Sequence, residues 1–368
     1  MKSESNAVTQ PADTALDIVF FTLDLSKNSV GRTYCLWQLA TRLGWTSTVV
    51  SLHGDDVWRP LRGTPFAEAC VRMTSGEIES SQRIRDADLF IAVKPLEDSF
   101  GLAMKTSAQL GVPILLDVDD PDLDAHLSWA RPMRRIAKQV VRPRALATAK
   151  RLRAAASRYP TIVSNPVLQA RYAGSIIPHI REDIGAGRPH TSRTPTVAFV
   201  GSNTAHKGLD LLRDAIASVQ DLGFELVITD VAPDDAKSWE RWVGTTSLDE
   251  GLKIVAEADI VIIPSLNLPY ANGQLPAKLM DAMLLGRAIA VSNIEPMPWA
   301  LGGHGLVFEP GSASAIESSL RQLVDPALRA ALGADARERA LQMFLVGPNA
   351  PAFETVARAA SKIRPRPA

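Results

Sequence analysis

The sequence predicts an α/β protein built from two Rossmann-like domains that face each other across a cleft. Three observations carry this. Short apolar runs of strand length alternate with longer segments of helical period, the pattern of a parallel sheet flanked by helices. The alternation stops at residues 184–195 (IGAGRPHTSRTP), which hold two glycines and two prolines without an apolar period, and then restarts. A chain of 368 residues is also long enough for two domains with two substantial cores.

In the first half, residues 17–21 (DIVFF) read as a buried strand. Residues 31–43 read as a helix, with Leu36, Leu39, Ala40 and Leu43 at helical spacing. Further strands are expected at 46–52, 88–93 and 112–116, with shorter candidates at 162–163 and 175–177. Past the linker, strands are expected at 196–200, 225–229, 259–264 and 288–292, and helices at 208–220, 248–256 and 276–285. Pro276 suits the first turn of the last of these. A final helical stretch, 351–363, follows a break at Gly347-Pro348. The expected division is therefore 1–183, a linker at 184–195, a second domain at 196–347, and a terminal helix in 348–368 that returns to the first domain.

Composition narrows the class. Hydrophobic residues make up 46% and charged residues 22%, which is globular rather than disordered. Forty basic and 40 acidic side chains cancel, so overall charge points to no nucleic-acid partner. Cys35 and Cys70 are too few for a disulfide framework or a structural zinc site, and the six histidines show no metal-ligand spacing. The N-terminal segment is polar and contains acids, unlike a signal peptide. Apolar runs fall far short of the roughly 20 residues that span a bilayer. A cytoplasmic protein is expected.

The segment TVAFVGSNTAHKGLDLL, residues 196–212, ends a buried strand, turns through Gly201 and opens a helix at Lys207-Gly208. Ligands bind at the carboxyl ends of strands in open parallel sheets. A helix start there presents free N–H groups to an anion, and Lys207 adds a point charge suited to phosphate. A solvated lysine before a helix is the plainer alternative. In DIVIIPSLNLPYANGQLPAKLMDAMLLGRAIAVS, residues 259–292, a strand leads through a loop to a helix with Lys278 and Asp281 on one face. A cation beside diphosphate and a carboxylate accepting from ribose hydroxyls would suit a nucleotide; a surface Lys–Asp pair would have the same spacing.

Together these segments resemble the donor-binding half of GT-B glycosyltransferases, particularly the retaining family 4 group. Gly201 to Gly208 is similar to that family's G…KG loop. Pro264-Ser265, Pro276, Lys278, Asp281-Ala282-Met283, Gly286 and Ser292 are similar to its second motif, and Ile177-Pro178-His179 resembles its I-P-N signature. The resemblance implies that Lys207 contacts the donor diphosphate and that Asp281 takes the ribose-binding carboxylate role. It also implies that Gly31 lets the first-domain loop approach the phosphates and that Lys278 belongs to a P-x-K variant of the helix. Ser202 and Asn203 stand where the family has an arginine. Gly273, followed by Gln274 and Leu275, stands where it has the first glutamate of a spaced pair, and Asp281 replaces the second.

LLDVDDPDLDAH, residues 115–126, delivers Asp117, Asp119 and Asp120 to a strand end, with Asp122, Asp124 and His126 nearby. One reading is a metal-gripping D-x-D of Asp117 and Asp119, suited to magnesium or manganese. The favoured reading puts Asp119 or Asp120 at the cleft as catalytic groups that orient the acceptor hydroxyl or accept its proton. Helix capping by these acids is the plainer alternative. Residues 128–159 hold ten basic side chains, from Arg131 to Arg158, and no acid, with Trp129, Met133, Ile136 and Val140 interleaved. This resembles a surface that docks on anionic lipid at the inner face of a membrane, with a solvated face as the alternative.

The expected activity is transfer of a sugar from a nucleotide-sugar donor to a hydroxyl acceptor, with retention, on a glycan or lipid-linked acceptor. No cofactor and no metal are expected. The alternatives are a non-catalytic nucleotide-sugar-binding scaffold and a GT-B sugar-nucleotide epimerase.

Overall fold

The computed structural model describes residues 15–127, 143–201, 203–268 and 271–363. Two parallel sheets with helices on both faces organise the chain. The first has seven strands in the order β3-β2-β1-β4-β5-β6-β7. These are β1 Asp17–Phe21, β2 Thr46–Ser51, β3 Cys70–Arg72, β4 Leu89–Val93, β5 Ile114–Val118, β6 Thr161–Val163 and β7 Ser175–Ile176. The second has six, in the order β10-β9-β8-β11-β12-β13. They are β8 Thr196–Phe199, β9 Glu225–Ile228, β10 Glu240–Trp242, β11 Ile260–Ile263, β12 Ala288–Ser292 and β13 Leu306–Phe308.

The central strands read as continuous apolar runs because both faces are covered. β4 (LFIAV) and β11 (IVII) are buried at every position. Phe20 pairs with Val49 on one side and Ile91 on the other, and Val261 pairs with Ala198 and Ile289. In both sheets the winding reverses beside the first strand, between β1 and β4 and between β8 and β11. Those crevices are where a doubly wound sheet receives its ligand.

The strand expected at 112–116 runs two residues later, as Ile114–Val118, which brings Asp117 into the sheet. The break expected at Gly347-Pro348 is absent. A helix runs through it, Val346–Ser361, because proline in a first turn lacks only an N–H that has no partner there anyway. Its buried face of Val346, Ala350, Phe353, Ala357 and Ala360 completes the core of the first domain, where the Phe353 and Trp45 ring centroids lie 5.8 Å apart.

Residues 185–193 carry no regular structure yet are fastened to the second domain. Gly187 N–H donates to the Leu285 carbonyl at 2.9 Å, and buried Arg287 donates to the Arg188 carbonyl at 2.8 Å. A Cβ on Gly187 would fall 2.5 Å from the Ala256 carbonyl oxygen, so glycine alone permits this approach. The two domains also touch at the rims of the cleft. Arg59 donates to Thr245 Oγ1 at 3.0 Å, and Asn165 donates to the Gly273 carbonyl at 2.9 Å.

Candidate functional site

The second domain contributes the loops at the carboxyl ends of β8 and β11. Gly201, at φ 110°, donates its N–H to Thr229 Oγ1 at 2.7 Å and turns the chain away from the sheet. At Gly208, φ 68°, a Cβ would lie 2.1 Å from the Pro264 carbonyl oxygen. The helix Leu209–Ala217 can therefore start tight against the end of β11 only because the residue is glycine. From the other side, the helix Ala277–Leu284 begins behind Pro276 and places Lys278 in its first turn.

The two lysines converge. A Cβ on Gly201 would lie 3.9 Å from Lys207 Nζ and 3.9 Å from Lys278 Nζ. Among the described residues, buried Lys278 Nζ has no hydrogen-bond partner, and it stands 4.3 Å from the centre of the Phe199 ring. Burial, with Lys207 adding repulsion, pushes the Lys278 ammonium down to about 7. Burial also lowers Lys207, against the opposing pull of Asp230. Two largely desolvated lysines facing one point, beside two helix starts, offer charge and N–H groups that an anion could match.

The other expected donor-side residues take several different settings. Asn203 donates its N–H to Asp230 Oδ2 at 2.9 Å, and Ser202 lies outside the described residues. Gln274 closes a turn onto the Ala271 carbonyl, and Leu275 is buried in the core. Gly273, at φ 101°, is backed against the first domain, where a Cβ would meet Val167 Cγ1 at 3.2 Å. Asp281 does not stand open to the cleft. Arg181 Nε donates to its Oδ1 at 2.6 Å, and the pair bridges the end of the first domain to the second. Gly31 is the second residue of the helix Val30–Arg42, and a Cβ there would lie 3.7 Å from the Trp58 ring.

The first domain presents the carboxyl end of β5. Asp117 is fully buried and both its oxygens accept from Arg32, at 2.7 Å from Nη2 and at 3.1 and 3.2 Å from Nε. Fully buried and with both oxygens accepting from one guanidinium, it does not present the open carboxylate that the D-x-D alternative calls for. Arg32 also donates to the Ile177 and Pro178 carbonyls, tying that strand end to the segment after β7. Asp119, Asp120 and Asp122 surround Lys94 Nζ at 3.0, 2.7 and 2.9 Å. Their oxygens lie within 4.8 Å of one another, but an ammonium already sits among them. His179, 7% exposed, is pushed well below the ordinary imidazole range by burial and by Arg32, and is therefore neutral.

Sequence reasoning gave Lys94 no role, although it ends an apolar strand just as the Gly201 loop does. Arg32 and Arg181 were missed because nothing local marks them. The helix Asp122–Leu127 starts in the acidic segment, and its Asp124 pairs with Arg171 at 2.9 Å. Arg131, Arg134, Arg135, Lys138 and Arg142 of the basic stretch lie outside the described residues; Arg151 pairs with Glu97 at 2.5 Å. Among the described residues no helix is long and apolar enough to cross a membrane.

No curated protein matched the sequence. Solved structures match nearly the whole chain at low identity. HepE of Anabaena, in complex with UDP-glucose, has a TM-score of 0.71 at 14% identity, covering 94% of this chain and 100% of that one. Sucrose-phosphate synthase from Thermosynechococcus elongatus gives 0.69 at 15% identity, with 94% and 98% covered. A glycosyltransferase from Rickettsia africae gives 0.64 at 13% identity, with 95% and 99% covered. The chain thus has the GT-B fold, and its residues 194–326, the ones that hold Lys207 and Lys278, match the family described as Glycosyl transferases group 1.

Proposed function

We propose that the protein moves a glycosyl unit from a nucleotide sugar to a hydroxyl acceptor bound in the cleft, with retention at the anomeric carbon. The observation that carries the reading is Lys278, a buried ammonium with no hydrogen-bond partner among the described residues, which faces the same point as Lys207. A sugar diphosphate supplies the missing charge. As the glycosidic bond to the diphosphate breaks, the charge that develops on the leaving oxygen falls between the two lysines and the adjoining helix starts. The lysines take the place of a divalent metal. Asp120, partly open to solvent beside Lys94, orients the acceptor hydroxyl from the opposite wall.

UDP-sugars are the first donors to test, since the Anabaena structure holds UDP-glucose. The acceptor side, with the basic stretch 131–158, suits a glycan or lipid-linked acceptor at an anionic surface. A thermal-shift screen of nucleoside diphosphates and their hexoses tests the reading, because a ligand bound only by the folded state raises its melting temperature. Absence of any shift, followed by absence of heat in calorimetry with UDP, GDP, ADP and dTDP, would remove the donor site.

A second reading rests on Gly273, which offers no carboxylate and whose φ of 101° and Val167 neighbour would strain any side chain placed there. It is a nucleotide-sugar-binding protein without turnover. Binding of a nucleotide sugar with no release of nucleotide, with or without EDTA and manganese, would favour it.

A further inference from the structure

We propose that Lys94 is a positioning residue for glycosyl transfer, acting through Asp120, whose carboxylate it aims into the acceptor side of the cleft. The proposal rests on the transfer reading above. Lys94 follows the last residue of β4 and adopts φ 73°, a left-handed conformation that residues other than glycine rarely take. That turn is fastened from several sides. Its N–H donates to the Asp117 carbonyl at 3.0 Å, and its own carbonyl accepts from Leu96 N–H at 2.9 Å and from Ser99 Oγ at 2.6 Å. The result throws the lysine side chain onto the end of the neighbouring strand β5 rather than onward past β4.

There its ammonium reaches Asp119, Asp120 and Asp122 together. The lysine and Asp119 side chains are 6% and 5% exposed, whereas Asp120 is 23% and Asp122 26% exposed. The ammonium and Asp119 form a floor, and Asp120 and Asp122 stand on it at the edge of the cleft. Burial opposes the charge on Lys94, but the three carboxylates outweigh it and hold the lysine protonated. The titratable and charged groups near Asp120 are Lys94, Asp119, Asp122, His179 from the segment after β7, and His206 from the second domain.

A purely structural role explains this arrangement poorly. Buried ion clusters add little net stability over apolar packing. An unstrained turn with an apolar residue would close β4 as well. A strained backbone held in place by its neighbours is the kind of feature that persists where a side chain must point in one direction.

The test uses UDP release from UDP-glucose, with water as acceptor, and UDP binding by calorimetry, in Lys94→Met, Asp120→Asn and the double variant. If Lys94 acts through Asp120, each single variant lowers kcat by at least about tenfold. The double variant is then no slower than the slower single one. UDP affinity stays within about twofold throughout, since the lysines at Gly201 are untouched. Lys94→Gly, whose backbone accepts the left-handed turn, replaces the methionine variant should that fail to fold. Losses that multiply in the double variant, or a Lys94 variant with wild-type kcat, overturn the inference alone. Wild-type protein that binds UDP without releasing it from UDP-glucose overturns the inference and favours the non-catalytic reading. Wild-type protein that binds no UDP moves the same assays to GDP, ADP and dTDP and their hexoses. Binding of none of the four overturns the donor site itself, and the inference with it.

Discussion

The side-chain amide of Asn165, fully buried in the first domain, donates to the carbonyl oxygen of Gly273 in the second at 2.9 Å. The same asparagine caps the helix Pro166–Tyr172 by accepting from the Leu168 N–H at 3.2 Å, so it has little freedom to follow a moving partner. Gly273 is thus pinned to the opposite domain at a left-handed φ, where the resembling family carries a glutamate.

That geometry predicts what restoring the glutamate would do. At φ 101°, and with Val167 Cγ1 only 3.2 Å from a Cβ, Gly273→Glu should destabilise the protein by about 1–3 kcal/mol. It should also weaken the Asn165 contact and leave turnover no higher. Urea unfolding alongside a UDP-release assay checks this. Unchanged stability with a gain in turnover would show that the loop is free to reopen and accept the carboxylate.

Lys278 predicts a trade between stability and binding. Burial holds it at about 7 in the folded chain, well below its ordinary value. The folded state therefore binds fewer protons than the unfolded one, and the stability of the ligand-free protein rises with pH from about 7 toward about 10. Lys278→Met should remove this slope and raise stability on the order of 2–4 kcal/mol at pH 7. The same substitution should weaken UDP binding by about tenfold or more, because the buried cation that meets the diphosphate is gone. In the wild type, a bound anion raises the lysine again. The binding contribution is then complete below about pH 7 and fades as pH climbs through the raised value of the complex. Calorimetry in buffers of different ionisation enthalpy should show proton uptake on binding near pH 8. A Lys278→Met variant that is less stable and binds UDP normally would assign the lysine to packing alone.

How much of this was legible in the sequence depends on how local each cause is. Central strands such as β4 and β11 were readable because burial on both faces leaves unbroken apolar runs. The edge strands β3, β10 and β13 were missed: they are three residues each, and Cys70-Val71-Arg72 and Glu240-Arg241-Trp242 lack such runs. Lys207 and Lys278 stood out because each stands at a helix start after a strand, a pattern written within about fifteen residues. Lys94 did not, since the left-handed turn that aims it leaves no mark in the residue types around it. Asp281 was read as open to a ribose, but its partner Arg181 lies 100 residues away, beyond any spacing argument.

The pairing of Arg32 with Asp117 leads to the last prediction. The two side chains are 1% and 0% exposed, and the pair joins residues 85 apart in sequence. Burial opposes the charge on Arg32, yet Asp117 outweighs it and the guanidinium stays protonated. Asp117→Ala therefore strands a buried cation, and the expected loss is about 3–5 kcal/mol. Arg32→Met with Asp117→Leu removes both charges and should recover part of that loss. Recovery should be incomplete, because the Ile177 and Pro178 carbonyls lose the donors that Arg32 gave them, at about 1–3 kcal/mol for each left buried and unpaired. Urea unfolding of the three proteins reads these differences. A double variant as unstable as Asp117→Ala would place the energy in those carbonyl contacts. An Asp117→Ala variant of normal stability that lost activity recoverable with manganese would instead return Asp117 to the role of a metal ligand.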